Sequence, residues 1–502
     1  MLRKIRITLA SLCFLLLSWL FLDFTGTAHH WAGWLANLQF LPAVLALNVG
    51  VVVGLIVLTL VFGRIYCSVV CPLGILQDLI ARLRPRGKKA GRYSYSPEVR
   101  WLRYPVLALF LVALFAGVSS AVALLAPYSS FGRIVTHLVK PAYIMGNNAL
   151  ADVAASHDSY AFYHVDPLLV HLPTIGVALA SLLLVAILAW VGGRTYCNTL
   201  CPVGTLLSFC SRFSFLKVNF DVEKCRNCSA CSRVCKASCI DYKTHRVDAS
   251  RCVVCGNCIE SCKFGALKYD AHRLHAAHGP ADKAPATAAT PDGSVSRRSF
   301  LLSGLSVLSA AALAQSKAKT DGGLAVIEDK KIPTRQTPLT PPGSLSAKHF
   351  AQHCTACQLC VSQCPNGVLR PSGGLMTLMQ PTMSYEHGYC RPECNRCSEV
   401  CPTDAIRPIA LEEKTSTQIG HAVWIKKNCV VLTDDVSCGN CARHCPVGAI
   451  QMVPLDPDDA LSARVPAVNE SRCIGCGACE NLCPARPFPA IYVEGHEVHK
   501  EV

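Results

Sequence analysis

Cysteine spacing dominates the chemistry open to this sequence of 502 residues. Most of its 31 cysteines fall into groups of four, with three thiols close together and a fourth three residues on. Cys225, Cys228, Cys231 and Cys235 form the first group, and Cys252, Cys255, Cys258 and Cys262 the second. Cys354, Cys357, Cys360 and Cys364 repeat the spacing, while Cys390, Cys394, Cys397 and Cys401 add one residue to the first gap. Cys429, Cys438, Cys441 and Cys445 stretch that gap to eight residues, and Cys473, Cys476, Cys479 and Cys483 restore it. The last four groups end in Cys-Pro; Lys236 and Lys263 follow the first two. Three closely spaced thiolates wrap one 4Fe–4S cluster, and the fourth commonly reaches the neighbouring cluster. Disulfide frameworks do not repeat such spacing, and zinc takes paired CxxC units without a third close thiol. Six groups therefore predict six 4Fe–4S clusters held by these cysteines as iron ligands. That is a relay, more than one catalytic centre needs.

A second repeat has another rhythm. Gly63-Arg64-Ile65-Tyr66-Cys67-Ser68-Val69-Val70-Cys71-Pro72-Leu73-Gly74 recurs as Gly193-Arg194-Thr195-Tyr196-Cys197-Asn198-Thr199-Leu200-Cys201-Pro202-Val203-Gly204, with seven of twelve positions identical. Pro and Gly turn the chain back and bring Cys67, Cys71, Cys197 and Cys201 close together. Three roles stand open for these thiols: further cluster ligands, redox thiols, or packing. Arg64 and Arg194 read as interfacial anchors. Cys13, Cys210 and Cys239 read as structural thiols, with Cys239 also open as an alternate ligand.

The elements that carry these groups are of two kinds. Four apolar stretches, near residues 6–24, 43–63, 104–126 and 172–191, are long enough to cross a bilayer, and in lipid they must be helical. Arg3, Lys4 and Arg6 precede the first, and a dense run of Arg and Lys fills 64–103 after the second. Residues 25–42 hold neither, and the long loop 127–171 holds only Arg133 and Lys140. By the positive-inside rule both ends of this unit face the cytoplasm. The expected fold is a membrane all-α four-helix unit with small α+β ferredoxin-like iron–sulfur modules. Its divisions are a transmembrane domain over 1–204, a cytoplasmic two-cluster ferredoxin domain over 205–270, and a flexible linker over 271–295. Next come a twin-arginine-like signal or fifth membrane segment over 296–315, built on Arg297-Arg298, and an extracytoplasmic four-cluster ferredoxin domain over 316–502. Clusters are built in the cytoplasm, so a loaded domain must cross already folded, as twin-arginine cargo does.

Composition closes other routes. The formal charge of +15 lies largely beside the spans rather than as a stripe on a soluble domain, which excludes a nucleic-acid partner. There is no GxGxxG after a strand, no GxxxxGK[ST] loop and no CxxCH haem site.

On these motifs, residues 1–270 resemble the NapH type of membrane quinol dehydrogenase subunit, with four helices, two CxxxCP motifs and a two-cluster ferredoxin tail. Residues 296–502 resemble the NapG type of exported four-cluster ferredoxin, which that family usually encodes as a separate chain. The resemblance implies a quinol dehydrogenase-type component of the bacterial inner membrane rather than a terminal reductase. It implies menaquinol as substrate, the lipid and quinone pool as surroundings, and an extracytoplasmic reductase or cytochrome as electron acceptor in anaerobic respiration. For the quinol proton, the outward loops offer His29, His30, Trp31, His137, His157, His164, Asp166 and His171. Two alternatives keep the same motifs: a conduit fed by a cytoplasmic ferredoxin or flavodoxin, and a redox maturation factor for a metalloenzyme.

Overall fold

The computed structural model describes residues 2–84, 93–159, 161–166, 172–271, 320–321, 325–326, 328–459 and 462–501. The twin-arginine-like segment, nearly all of the linker and His171 lie outside them.

Two helices are long and apolar enough to cross a membrane, Leu2–Leu22 and Leu172–Gly192. The other two expected spans are divided. Leu47 takes a left-handed φ of 52°, and Asn48 then caps a new helix by accepting the Val51 N–H at 3.3 Å, so the second stretch splits into Phe40–Leu45 and Val49–Phe62. The third splits at Gly117, φ 72°, into Arg100–Phe115 and Ser119–Leu125. Left-handed backbone ends a helix whatever the hydropathy of its neighbours.

The long loop after the third stretch is in large part helical. Pro127–Ile134 runs through a π turn, Val135–Val139, into Lys140–Ser156, and this helix bends 78° from Ser119–Leu125. Pro127 starts it, its missing N–H costing nothing at the first helical position. Every residue from Pro127 to Ile134 is buried. Arg133, fully buried, donates to the Ala123 carbonyl at 2.6 Å, satisfying one of the acceptors left open at that helix end.

The ferredoxin modules are built from short helices and antiparallel strand pairs. Leu216–Phe220 pairs with Leu267–Ala271 around the first module. Thr417–Trp424 pairs with Ile491–Glu501, and Ile450–Pro454 with Arg464–Val468, around the last two cysteine groups. Leu369–Pro371 pairs with Pro381–Met383 beside the third group.

These modules dock at opposite ends of Leu2–Leu22. At its start, Arg3 pairs with Glu260 of the first module. At its end, the Gln363 amide donates to the carbonyls of Leu20 and Asp23, both at 3.0 Å. Arg396 donates to the Phe24 and Thr25 carbonyls there at 3.3 and 3.2 Å. Twenty-one residues at 1.5 Å each separate the two docking points by about 30 Å, the thickness of a hydrocarbon core.

Candidate metal centres

The structure brings the 24 cysteines of the six groups together across group boundaries. One cavity is lined by Cys225, Cys228, Cys231 and, from the second group, Cys262. A second is lined by Cys390, Cys394, Cys397 and Cys364. A third has Cys429, Cys438, Cys441 and Cys483, and a fourth has Cys473, Cys476, Cys479 and Cys445. The remaining thiols assemble in the same way. Cys258 lies in electrostatic contact with Cys252, Cys255 and Cys235, and Cys360 with Cys354, Cys357 and Cys401. Each tight loop thus gathers three thiols, and each fourth thiol serves the partner loop.

These sites suit a multinuclear anion. Among the described residues no three Cys, His, Asp or Glu side chains converge closely enough to share one metal ion, so each set of four encloses a wider space. Backbone N–H groups point at the sulfurs: Ala266 to Cys262 at 3.3 Å, Ala449 to Cys445 at 3.2 Å and Ala490 to Cys483 at 3.3 Å. Such bonds favour the thiolate, the form that binds metal. Cys239, an expected structural thiol, sits 3.5 Å from the Cys235 sulfur. Its hydrogen bond draws the Cys235 thiol down to about 7.

Cys67, Cys71, Cys197 and Cys201 are all buried, and Cys201 lies in electrostatic contact with the other three. The repeat holds them by exchange. Arg64 of the first copy donates to the Cys197 carbonyl at 3.1 Å, and Arg194 of the second donates to the Cys67 carbonyl. Gly74 and Gly204 lie against the Cys67 and Cys197 carbonyls, where a Cβ would collide. Arg64 and Arg194 are therefore not interfacial anchors; both are fully buried, because their partners lie inside the repeat. Arg194 pairs with Asp78 at 2.8 Å. Asp78 also receives Arg6 at 3.4 Å and, from the first module, Lys236.

Contacts order the sets. The Cys252 loop lies in electrostatic contact with Arg64, whose guanidinium also donates to the Ser250 carbonyl at 2.9 Å. Beyond the four buried thiols, the Tyr196 hydroxyl donates to the Leu125 carbonyl at 3.0 Å. A Cβ on Gly132 would collide with the Cys357 carbonyl, and the neighbouring Arg133 lies within electrostatic reach of Tyr196 and Cys357. The Cys390 N–H donates to the Cys476 carbonyl at 2.9 Å, which links the Cys390 loop to the last module. Through these contacts each set neighbours the next, from the Cys225 loop to the last module.

Most of the described residues expected to take a quinol proton lie at the surface. His30, Trp31, His157, His164 and Asp166 are exposed, and His164 pairs with Asp152 at 2.9 Å. His29 is half-buried. His137 is buried in the π turn.

Family models of a 4Fe-4S binding domain match residues 44–91 and 174–221, the two copies of the CxxxCP repeat. Two 4Fe-4S dicluster domain models match residues 436–486 and 248–368. The methylamine utilization ferredoxin-type protein MauM of Methylobacillus flagellatus is 31% identical over 170 residues, 32% of this chain and 70% of that protein. The ferredoxin-type protein NapF of Escherichia coli K12 is 29% identical over 159 residues, 32% of this chain and 87% of its own. NapG of the same organism is 27% identical over 188 residues, 35% of this chain and 80% of its own. No solved structure matches. Thiols gathered three plus one, on a chain matched by these domains and relatives, identify it as a member of the family of ferredoxin-type 4Fe–4S proteins to which MauM belongs.

Proposed function

We propose that this protein is a membrane-embedded electron relay with six 4Fe–4S clusters, passing electrons from menaquinol to an extracytoplasmic reductase or cytochrome. The observation that carries this reading is the succession of neighbouring thiol sets running between modules docked at opposite ends of one apolar helix. Each cluster, when bound, accepts and releases one electron at a time.

The chain's own residues then do three things. The tight loops each give three thiolates, and Cys262, Cys235, Cys401, Cys364, Cys483 and Cys445 tie each pair of sites into one unit. Backbone N–H groups hold the thiolates in place. The lipid-facing sides of the helices are apolar: Leu15 is 65% exposed, Val112 65% and Ile187 55%. A contiguous exposed apolar surface of this kind needs a membrane or a partner to cover it. Together with the arginine-rich segment 64–103, this supports an inner-membrane protein with the Cys225–Cys262 module in the cytoplasm. The Cys354–Cys483 module then lies outside, exported through the 296–315 signal.

A second reading has the cytoplasmic module loaded by a soluble ferredoxin or flavodoxin. Cys228 is solvent-exposed, which opens that edge of the first site to a docking carrier. Anaerobic EPR titration of the full-length protein separates the two. Reduction by menaquinol is the expected result. Reduction by a soluble carrier alone would move the donor to the second reading.

Cys239 tests the first module directly. Cys239→Ala removes one hydrogen bond to the Cys235 sulfur, worth about 1 kcal/mol, which for a one-electron couple is roughly 40 mV. One midpoint potential is expected to fall by that amount in an EPR titration, because the more electron-rich sulfur disfavours reduction. An unchanged set of potentials would remove Cys235 from the ligand list.

A further inference from the structure

We infer that Cys67, Cys71, Cys197 and Cys201 jointly hold one further iron–sulfur cluster, two ligands from each copy of the repeat, which joins the inner and outer modules. The inference rests on the relay reading and names the group that completes it.

The first observation is charge. Arg64 is fully buried, and its partners are neutral: Asn198 Oδ1 at 3.0 Å, the Ser250 carbonyl at 2.9 Å and the Cys197 carbonyl at 3.1 Å. It pairs with no carboxylate among the described residues, and its Nε has no partner. A buried cation left without an anion is strongly unfavourable. The thiols are able to supply negative charge, and the guanidinium already reaches Cys67 Sγ at 3.8 Å.

The second observation is the helix ends. Cys71 and Cys201 are the N-caps of Pro72–Leu83 and Pro202–Arg212. The Gly204 N–H donates to Cys201 Sγ at 3.3 Å, and the Gln77 amide donates to Cys197 Sγ at 3.2 Å. Two helix N-termini therefore face the same four sulfurs, and the helix dipole favours negative charge there. Four neutral thiols would leave all this positive potential unanswered. Four thiolates on a cluster carry net negative charge and answer it.

The third observation is position. The set lies between the Cys252 loop, through Arg64 and Ser250, and the Cys357 loop, through Tyr196 and Arg133. Among the described residues, this is the thiol set that adjoins both modules.

The test is iron and sulfide content of the anaerobically purified full-length protein, with EPR and with iodoacetamide labelling after denaturation in the presence and absence of chelator. Six clusters account for about 24 irons. About 26 or 28 irons, with these four thiols protected until chelator is added, is the expected result, and the count decides between a two-iron and a four-iron cluster. Cys71→Ser with Cys201→Ser should remove that increment and one EPR species, leaving the other six potentials unchanged. Should that variant fail to assemble, Gln77→Leu, which removes the amide donating to Cys197 Sγ, should shift the midpoint of one species alone to lower potential. About 24 irons with the four thiols labelled or joined as cystine would overturn the inference while leaving the six-cluster relay standing. Far fewer than 24 irons, with sites in both modules empty, would overturn both.

Discussion

Cys401→Ser is expected to empty the site of the Cys354–Cys360 loop rather than that of its own loop. The Cys401 thiol lies in electrostatic contact with Cys354, Cys357 and Cys360, whereas Cys390, Cys394 and Cys397 share their cavity with Cys364. The expected loss is one cluster, about four irons. Cys354, Cys357 and Cys360 should become open to alkylation while Cys390, Cys394 and Cys397 stay protected, and Cys364→Ser should give the reverse pattern. Mass-spectrometric mapping of labelled cysteines reads both. The functional consequence is larger than the loss of one cluster suggests. The Cys354–Cys360 loop packs against Gly132, so in the proposed relay Cys401→Ser breaks the path where it leaves the helical unit. Electron arrival at the last module should stop, although its own clusters persist. Labelling of the Cys390 loop in Cys401→Ser would refute the exchange of fourth ligands.

Asp78→Asn should be the most damaging change that touches no cysteine. Asp78 bridges Arg6 of the first helix, Arg194 of the repeat and Lys236 of the first module. Its side chain is 13% exposed, and those of Arg194 and Lys236 are 0% and 7% exposed. Asn preserves the shape but removes the charge, leaving three buried cations, Arg6, Arg194 and Lys236, without their counter-ion. Breaking a buried pair from one side costs about 3–5 kcal/mol, and here one carboxylate serves more than one cation. Thermal unfolding in detergent should show a large loss of stability, with the inner module detaching first. Asp78→Glu, which keeps the charge, should recover most of it. A midpoint within about 1 °C of wild type would mean that the cations find their compensation elsewhere, since even 1 kcal/mol moves a domain of this size by about 2–4 °C.

The two cases also show what was legible in the sequence. The three-plus-one rhythm of cysteines names every thiol set, because covalent spacing fixes which three can wrap one cluster. Which loop receives the fourth is a matter of chain fold, and spacing alone gives it only as a common habit of such motifs. The repeat of Gly63–Gly74 in Gly193–Gly204 likewise foretells that four thiols meet. Arg64 and Arg194 could be misread from sequence because an arginine after an apolar run looks the same whether it faces headgroups or crosses to the other copy. Their burial follows from the exchange of carbonyl partners between copies, which no local window contains.

The helices were legible by length but not by continuity. Hydropathy sums apolar residues and is blind to the left-handed turns at Leu47 and Gly117 that divide two of the four stretches. The buried helix from Pro127 was hidden for the opposite reason. Tyr128, Ser129, Ser130, Arg133, Thr136 and His137 make it read as a polar loop, yet all six are buried. Polar residues on an interior helix are rare and mark function when they occur, so Arg133 and His137, set among uncharged neighbours over 127–139, were the available signal.

The most direct test of the account is electron passage across a sealed bilayer. Full-length protein in proteoliposomes would be given menaquinol, with cytochrome c trapped on the side of the Cys354–Cys483 module, and reduction of the trapped cytochrome followed optically. The account predicts reduction that is lost in Cys401→Ser and retained in Cys13→Ala. Equal reduction by wild type and Cys401→Ser, or none by wild type carrying its full complement of iron, would contradict it.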